Sequence, residues 1–409
     1  MMKNIISPLF QIWTFFLALI VAFSCVGYSP LPSIAYPAAL FLSCFIVIIV
    51  LVSYSKKVFF SFSMVAILLV SFLSIIIGQP DIRFKSYQRL VYFVALSFVV
   101  SPLFRTNKLD YQRHLLLQYL LYFCLFLSAG SFVCYFLGIN LMQIGEDVLY
   151  YEDFSIGGTF GGLVKHSMLL GPLCVVSVLF LLTTQNKLLS VGWIRYTLIL
   201  ASFGGLLMSA SRGAIYGGII AVVFAIFKKS KNKIQFVKWI AIIGVLLLAT
   251  YPLWSLLLNG VIYKNEYRAD AGNGFFASRI FLYRHRFDEF LHNPLTGIGF
   301  SSAKSFDYYE VHKTGTVEYG NSWLCLFSTI GLLGAIPAIF LFIQRFFETS
   351  KAASTNNDAL FASSTLLFFF IHFMIEGYVL SAGNPLCFLF WLVLSNTYGN
   401  DSIIVNTGE

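Results

Sequence analysis

The stretch Ser209 to Gly218 reads SASRGAIYGG, with one permanent positive charge, Arg212, set among small residues between two long apolar runs. A charge at the centre of a membrane-spanning helix costs about 2.5–3.5 kcal/mol on insertion scales, so such arginines face wet cavities and mark binding sites. Ser209 and Ser211 carry hydroxyl donors, Gly213 admits a close backbone, and a helix opening at Gly213 adds partial positive charge at the same place. A phosphate or diphosphate suits that combination. The competing assignment is a connecting turn whose Arg212 stem snorkels to water. Weighing the two requires knowing the solvent around the chain.

The 409 residues are 58% hydrophobic and 11% charged, with a mean hydropathy of +0.81. No soluble domain of this length carries such a balance. Apolar stretches near the roughly 20 residues needed to cross a bilayer recur at 9–27, 36–54, 58–78, 87–104, 115–138, 164–184, 193–210, 212–227, 236–258, 320–346, 358–376 and 380–397. The expected fold is an all-α polytopic membrane protein of about twelve transmembrane helices, a single membrane domain over residues 1–409. The first run reads as a membrane helix and not as a cleaved signal peptide, and Asn384-Pro385 interrupts the last. Cys25, Cys44, Cys124, Cys134, Cys174, Cys325 and Cys387 all fall inside these runs and read as packing residues.

Lysines and arginines set the orientation. With the N-terminus inside, Lys3, Lys56-Lys57, Arg105, Lys108, Arg113, Lys187, Arg195, the cluster KKSKNKIQFVK from Lys228 to Lys238, Arg345 and Lys351 all fall on the cytoplasmic side. The other face carries Arg83, Lys85, Arg89, Lys165 and Arg212 outside its longest loop, 259–319. Both termini are then cytoplasmic, and the net charge of +9 reflects inner loops facing an anionic leaflet, with no nucleic-acid partner. Of the 18 acidic residues, 13 lie on the outer side, among many tyrosines. Carboxylates and rings together suit a sugar, although interfacial tyrosines are common to membrane proteins.

Three ordered blocks carry a resemblance. SASRGA between two apolar runs resembles the Ser-Arg-Gly signature of the O-antigen polymerase and ligase superfamily. SRIFLYRHRFDEFLHNPLTGIGFSSA, Ser278 to Ala303, is similar to that family's outer-loop pattern, an arginine leading an amphipathic helix that ends in Pro-Leu-x-Gly-x-Gly-Phe. GNSWLCLFSTIGLLG, Gly320 to Gly334, is similar to the family block in which His-Asn precedes Gly-x-x-Gly by nine residues. The blocks span about residues 195–345. They imply a bacterial inner-membrane enzyme similar to the membrane glycosyltransferases of the GT-C type, with the loop 259–319 in the periplasm.

The resemblance also implies roles. Arg212 and Arg279 are the expected catalytic arginines, steadying the diphosphate that leaves, with Ser209, Ser211 and Arg286 binding substrate. If Arg279 begins a helix, Arg286 shares its face two turns on, while Arg284 points away. The family's basic histidine falls at Gly320, which has no side chain; Glu318 is the expected base instead, Asn321 its hydrogen-bonding companion, and His312 and Glu376 the reserves. No metal-ligand spacing and no nucleotide-binding glycine loop occur, so the expected chemistry needs neither metal nor cofactor. The implied reaction is polymerisation of undecaprenyl-diphosphate-linked oligosaccharide repeat units into a surface polysaccharide, with membrane lipids as surroundings and a chain-length regulator protein as a further partner. A ligase transferring glycan to lipid A-core, and a lipid-glycan flippase, are the alternatives. A transporter predicts charges at the bilayer midplane, whereas these gather at the outer edge.

Overall fold

Long apolar runs leave the backbone no hydrogen-bonding partner but itself, and helix is the local answer. The computed structural model describes residues 2–54, 58–142, 160–186, 189, 191–230, 232–249, 251–255, 277–304 and 320–396, and each of the twelve apolar runs contains a helix. These are α1 (Met2–Phe23), α2 (Ala35–Tyr54), α3 (Phe62–Gly78), α4 (Ser86–Val100), α5 (Asn107–Phe136), α6 (Ser167–Thr183), α7 (Gly192–Met208), α8 (Arg212–Lys229), α9 (Lys233–Ala249) with a short α10 (Tyr251–Ser255), α12 (Ser322–Ala352), α13 (Asn357–His372) and α14 (Pro385–Ser395). One helix, α11 (Ala277–His292), lies outside the runs. Strand pairing among the described residues is limited to β1 (Phe59–Phe60) against β2 (Phe104–Arg105) and a bridge between Val26 and Val164. By length and composition, helices covering Ala35–Ser53, Asn107–Phe136 and Ser322–Ala352 are apolar enough to cross a membrane, and several shorter helices are comparably apolar.

The core runs through α6 and α14, which are apolar and buried nearly all round, as expected of helices enclosed by others. Small residues bring α5, α6 and α7 together: the Ser128 hydroxyl lies 3.0 Å from that of Ser177 and 3.1 Å from that of Ser202, all fully buried. Such interhelical bonds stabilise membrane bundles by about 0.6 kcal/mol each. The outer surface is apolar too, with Phe45, Val52, Leu200 and Val245 exposed among others. A molecule apolar both inside and outside fits an all-α membrane protein.

The contacts sort the loops into two ends. At one end Lys228 Nζ donates to the Ser350 carbonyl, Lys229 Nζ to Leu182 and Arg195 to Thr184, while Arg105 and Arg345 line one cavity. At the other, Arg89 donates to Ser301, Lys165 N to the Cys25 carbonyl, and Tyr36 Oη to the Ala382 carbonyl. The basic sequence clusters thus meet at the first end, and the residues of the candidate site at the second.

Two of the expected spans differ in detail. In the run 380–397 only Pro385 to Ser395 is helical, roughly 16 Å at 1.5 Å per residue against a hydrocarbon core of about 30 Å. Asn384 caps this helix and Pro385 starts it, so the chain before it is irregular and lines a cavity, where non-helical backbone is tolerated. The helix after the Ser-Arg-Gly turn begins at Arg212 itself, one residue before Gly213.

Within α12 the helix breaks at Gly331, whose φ of 59° and ψ of −171° belong to a region open essentially to glycine alone. The break orphans backbone groups, and the Asn-Pro-Leu-Thr-Gly turn after α11 supplies their partners. Leu332 N donates to the Pro294 carbonyl (2.8 Å), Leu333 N to Leu295 (3.1 Å), and Ile298 N to Ser328 (2.9 Å). Each buried group left unpaired would cost about 1–3 kcal/mol. A side chain at Gly331 would collide with the Leu295 carbonyl. The variant Gly331→Ala therefore loses at least ~1–2 kcal/mol from backbone strain alone, read as a lowered melting temperature of the purified protein. An unchanged melt would show that the kink tolerates a Cβ.

Candidate functional site

Three segments build the site at the end opposite the basic clusters. The first is α11, whose residues 279, 283 and 286 lie on one face at helical spacing. Arg279 donates to Glu376 Oε1 at 2.7 Å, each side chain 16% exposed. One turn on, Tyr283 Oη donates to the Met374 carbonyl at 2.7 Å, and burial holds its phenol above the usual tyrosine pKa, so it stays a donor near neutrality. The third member, Arg286, is turned into the protein. Its Nη1 donates to Glu289 Oε2 (2.8 Å) and to the Ser302 carbonyl (2.9 Å), and Glu289 Oε1 accepts from Lys304 N (2.9 Å). With both side chains almost fully buried, this pair fastens the turn after α11. Such pairs are costly to break. Arg284 is exposed, as are Ile280, Phe281, Phe287 and Leu291.

The second segment is the start of α12 with the chain that follows α13. Asn321 caps α12, its Oδ1 accepting from Leu324 N (3.0 Å) and its Nδ2 donating to the Met374 carbonyl (2.9 Å). Ser322 Oγ donates to the Glu376 carbonyl (2.7 Å) and accepts from Tyr378 N (3.0 Å). Both residues hold Glu376 in place from its two sides in the sequence. Gly320, where the family histidine falls, has a φ of 67°, and a Cβ there would sit 2.9 Å from the Leu282 side chain. Neither the backbone nor the space suits a histidine.

The third is the Ser-Arg-Gly turn. Ser209 is fully buried, its hydroxyl donating to the Leu206 carbonyl (2.7 Å) and accepting from Ser211 N (3.3 Å). Ser211 precedes α8 without capping it through its side chain, and both serines pack on Gly171 of α6. Arg212, half-buried in the first turn of α8, is followed by Gly213, which packs directly on Ile375, the neighbour of Glu376.

Beside these segments lies a cavity of about 510 Å³. Glu376 lines it together with Arg89, Lys165, His166, His372 and Tyr378. His166 Nδ1 accepts from Met168 N at 3.1 Å, which fixes the ring proton on Nε2. His372 Nδ1 lies 2.9 Å from Tyr378 Oη, and its buried Nε2 has no hydrogen-bond partner. The N-terminal ends of α4 and α6, with their partial positive charge, carry Arg89, in the first turn of α4, and His166, the residue capping α6, into this wall. In the sequence Arg89 and Lys165 read only as charges of the outer face. The usable signal was their scarcity on that face.

The structure therefore brings Arg279, Asn321 and Glu376 together, with the Ser-Arg-Gly turn touching this group through Gly213 against Ile375. It directs Arg286 elsewhere. Glu318 and His312 lie outside the described residues, as does most of the loop 259–319. No group of three or more histidine, cysteine or acidic residues able to hold a metal ion occurs among the described residues.

Comparison with known proteins bears on this arrangement. No curated protein matches the chain. Residues 197–339, which include the Ser-Arg-Gly turn, Arg279, the turn after α11 and the kink of α12, match the family model described as O-antigen ligase. Over that stretch, about a third of its length, the chain is similar to the O-antigen ligase family.

Proposed function

We propose that the protein is a repeat-unit polymerase, joining oligosaccharides carried on undecaprenyl diphosphate at the outer face of a bacterial inner membrane. The observation that carries this reading is the setting of Glu376: one carboxylate paired with Arg279 and lining a cavity that Arg89, Lys165 and His166 also line. A polymerase handles two lipid diphosphates at once, one on the donor and one on the acceptor. Two cationic groups about a single proton acceptor suit that requirement. Gly320, where the ligases carry histidine, favours the polymerase over the ligase.

In this reading the twelve helical runs cross the membrane with both termini in the cytoplasm. The acceptor hydroxyl attacks the anomeric carbon of the donor glycan, the carbon–oxygen bond to the lipid diphosphate breaks, and the configuration inverts. The hydroxyl proton passes to a carboxylate, Glu376 or Glu318, and the electron pair leaves on the diphosphate. Arg212 and Arg279 stabilise the charge of the departing group, with Ser209 and Ser211 shaping the turn that presents Arg212. Arg286 supports this site through the turn that it holds. In this reading the arginines stabilise the leaving charge in place of a metal.

The test is the size of the glycans in a strain lacking the gene. Single repeat units at the surface with long chains absent is the expected outcome. Long chains accumulating on the lipid carrier would make the protein a ligase, and repeat units retained on the cytoplasmic leaflet would make it a flippase.

A further inference from the structure

The cavity at the opposite, basic end is larger, about 1050 Å³, and takes no part in the chemistry above. Arg105, Arg345 and Lys351 line it, with Asp110 and Glu348 as its carboxylates. Arg345 Nη1 donates to Glu348 Oε2 at 2.8 Å. Asp110 is surrounded without being satisfied. Arg113 Nη1 stands 3.7 Å and Arg105 Nε 3.8 Å from its oxygens, beyond hydrogen-bond range. Asp110 Oδ1 and the Nε atoms of Arg105 and Arg345 are all buried without a hydrogen-bond partner. Four cations, Arg113 included, thus meet two carboxylates. The excess positive charge sits in a partly desolvated place where like charges repel strongly, and burial together with the neighbouring Arg345 holds the Arg105 guanidinium below its usual pKa.

The rim supplies the second half of the argument. Phe59, Phe60, Phe62 and Phe340 border the cavity and are each at least 60% exposed. Arginines behind exposed phenylalanines, at the ends of apolar helices, match a ligand with an anionic head and apolar tails. A free phosphate makes no use of the rings, and an apolar chain makes none of the arginines. We propose that this cavity binds an anionic glycerophospholipid, its phosphodiester between Arg105 and Arg345 and its acyl chains along Phe59, Phe62 and Phe340. Basic pockets between helices at a membrane surface recognise such headgroups. The site is separate from the transferase residues, so it stands or falls independently of the reading as a polymerase.

The experiment uses the full chain purified in detergent and exposed in parallel to phosphatidylglycerol, phosphatidylcholine or inorganic phosphate. Native mass spectrometry counts retained lipid, and a thermal melt follows stability. Selective retention of one phosphatidylglycerol, with a raised melting temperature, is expected. Inorganic phosphate should leave the melt unchanged. Arg345→Gln and the more exposed Lys351→Gln should each weaken retention roughly fivefold, the equivalent of about 1 kcal/mol per basic residue. Equal retention of the two lipids would overturn the proposal, as would full retention by both variants. Stabilisation by inorganic phosphate alone would assign the cavity to a soluble anion and overturn the lipid. If Arg345→Gln fails to fold, Lys351→Gln and the comparison of ligands on the unaltered protein still decide.

Discussion

Arg212→Ala abolishes polymer while leaving the protein in the membrane at normal abundance. The expected size follows from the role: removing one group that stabilises developing charge in a dry site lowers turnover about 10²–10³-fold. The fold should survive because Arg212 is only half-buried and the turn is held by other residues, namely Ser209 through Leu206 and Ser211, and Gly171 against both serines. Arg212→Lys keeps the charge without the planar fork and should retain part of the activity. Glycan length in cells, set against protein abundance in the membrane fraction, reads both. Polymer of normal length from the alanine variant would reduce Arg212 to the snorkelling turn residue weighed at the outset.

The second large effect separates two carboxylates. Glu376→Gln keeps an oxygen that can accept from Arg279, so the 2.7 Å contact survives in weakened form while the proton acceptor is lost. General base catalysis is worth about 10²–10⁴-fold, and transfer should fall by that much with little change in the amount of lipid-linked donor bound. Glu318→Gln is the paired measurement. If Glu376→Gln stays active and Glu318→Gln does not, the base is Glu318 and Glu376 only positions Arg279. If both variants work normally, no carboxylate of this group is the base, and His312 is the next residue to replace. A fall in stability without a fall in activity per folded molecule would mark Glu376 as a structural partner.

The resemblance and the structure explain the same motifs at different levels. Pro294 to Gly299 and the glycines of α12 look, as sequence, like a signature with a function. In three dimensions they are one packing device: the turn places its Pro294 and Leu295 carbonyls against the amides that the Gly331 break exposes. That junction fixes the root of α11, and hence where Arg279 points. The turn contributes to chemistry by holding its neighbours, and the same is true of Asn321, whose oxygen and nitrogen both serve the backbone.

Much was legible in the residues alone. Composition and the spacing of apolar runs determined that the chain is helical and membrane-like, because a helix is the only way a short apolar segment satisfies its own backbone. Periodicity placed Arg279 and Arg286 on one face of a helix, and the helix α11 has them so. The similarity to the O-antigen ligase family was readable from Arg212, the turn after α11 and Gly331, since each needs a particular residue type at a particular point. What periodicity omits is depth: it aligned Arg286 with Arg279 but gave no sign that Glu289, three residues further on, would draw it inward. The irregular start of the last run was signalled by Asn384-Pro385, yet its use as the wall of a cavity was not. Only the tertiary structure decided that Glu376, 97 residues from Arg279, meets it, and that Arg89, Lys165 and His166 converge beside them. Sequence patterns report interactions within one element, whereas these groups lie on different helices, and their meeting is set by how the helices pack.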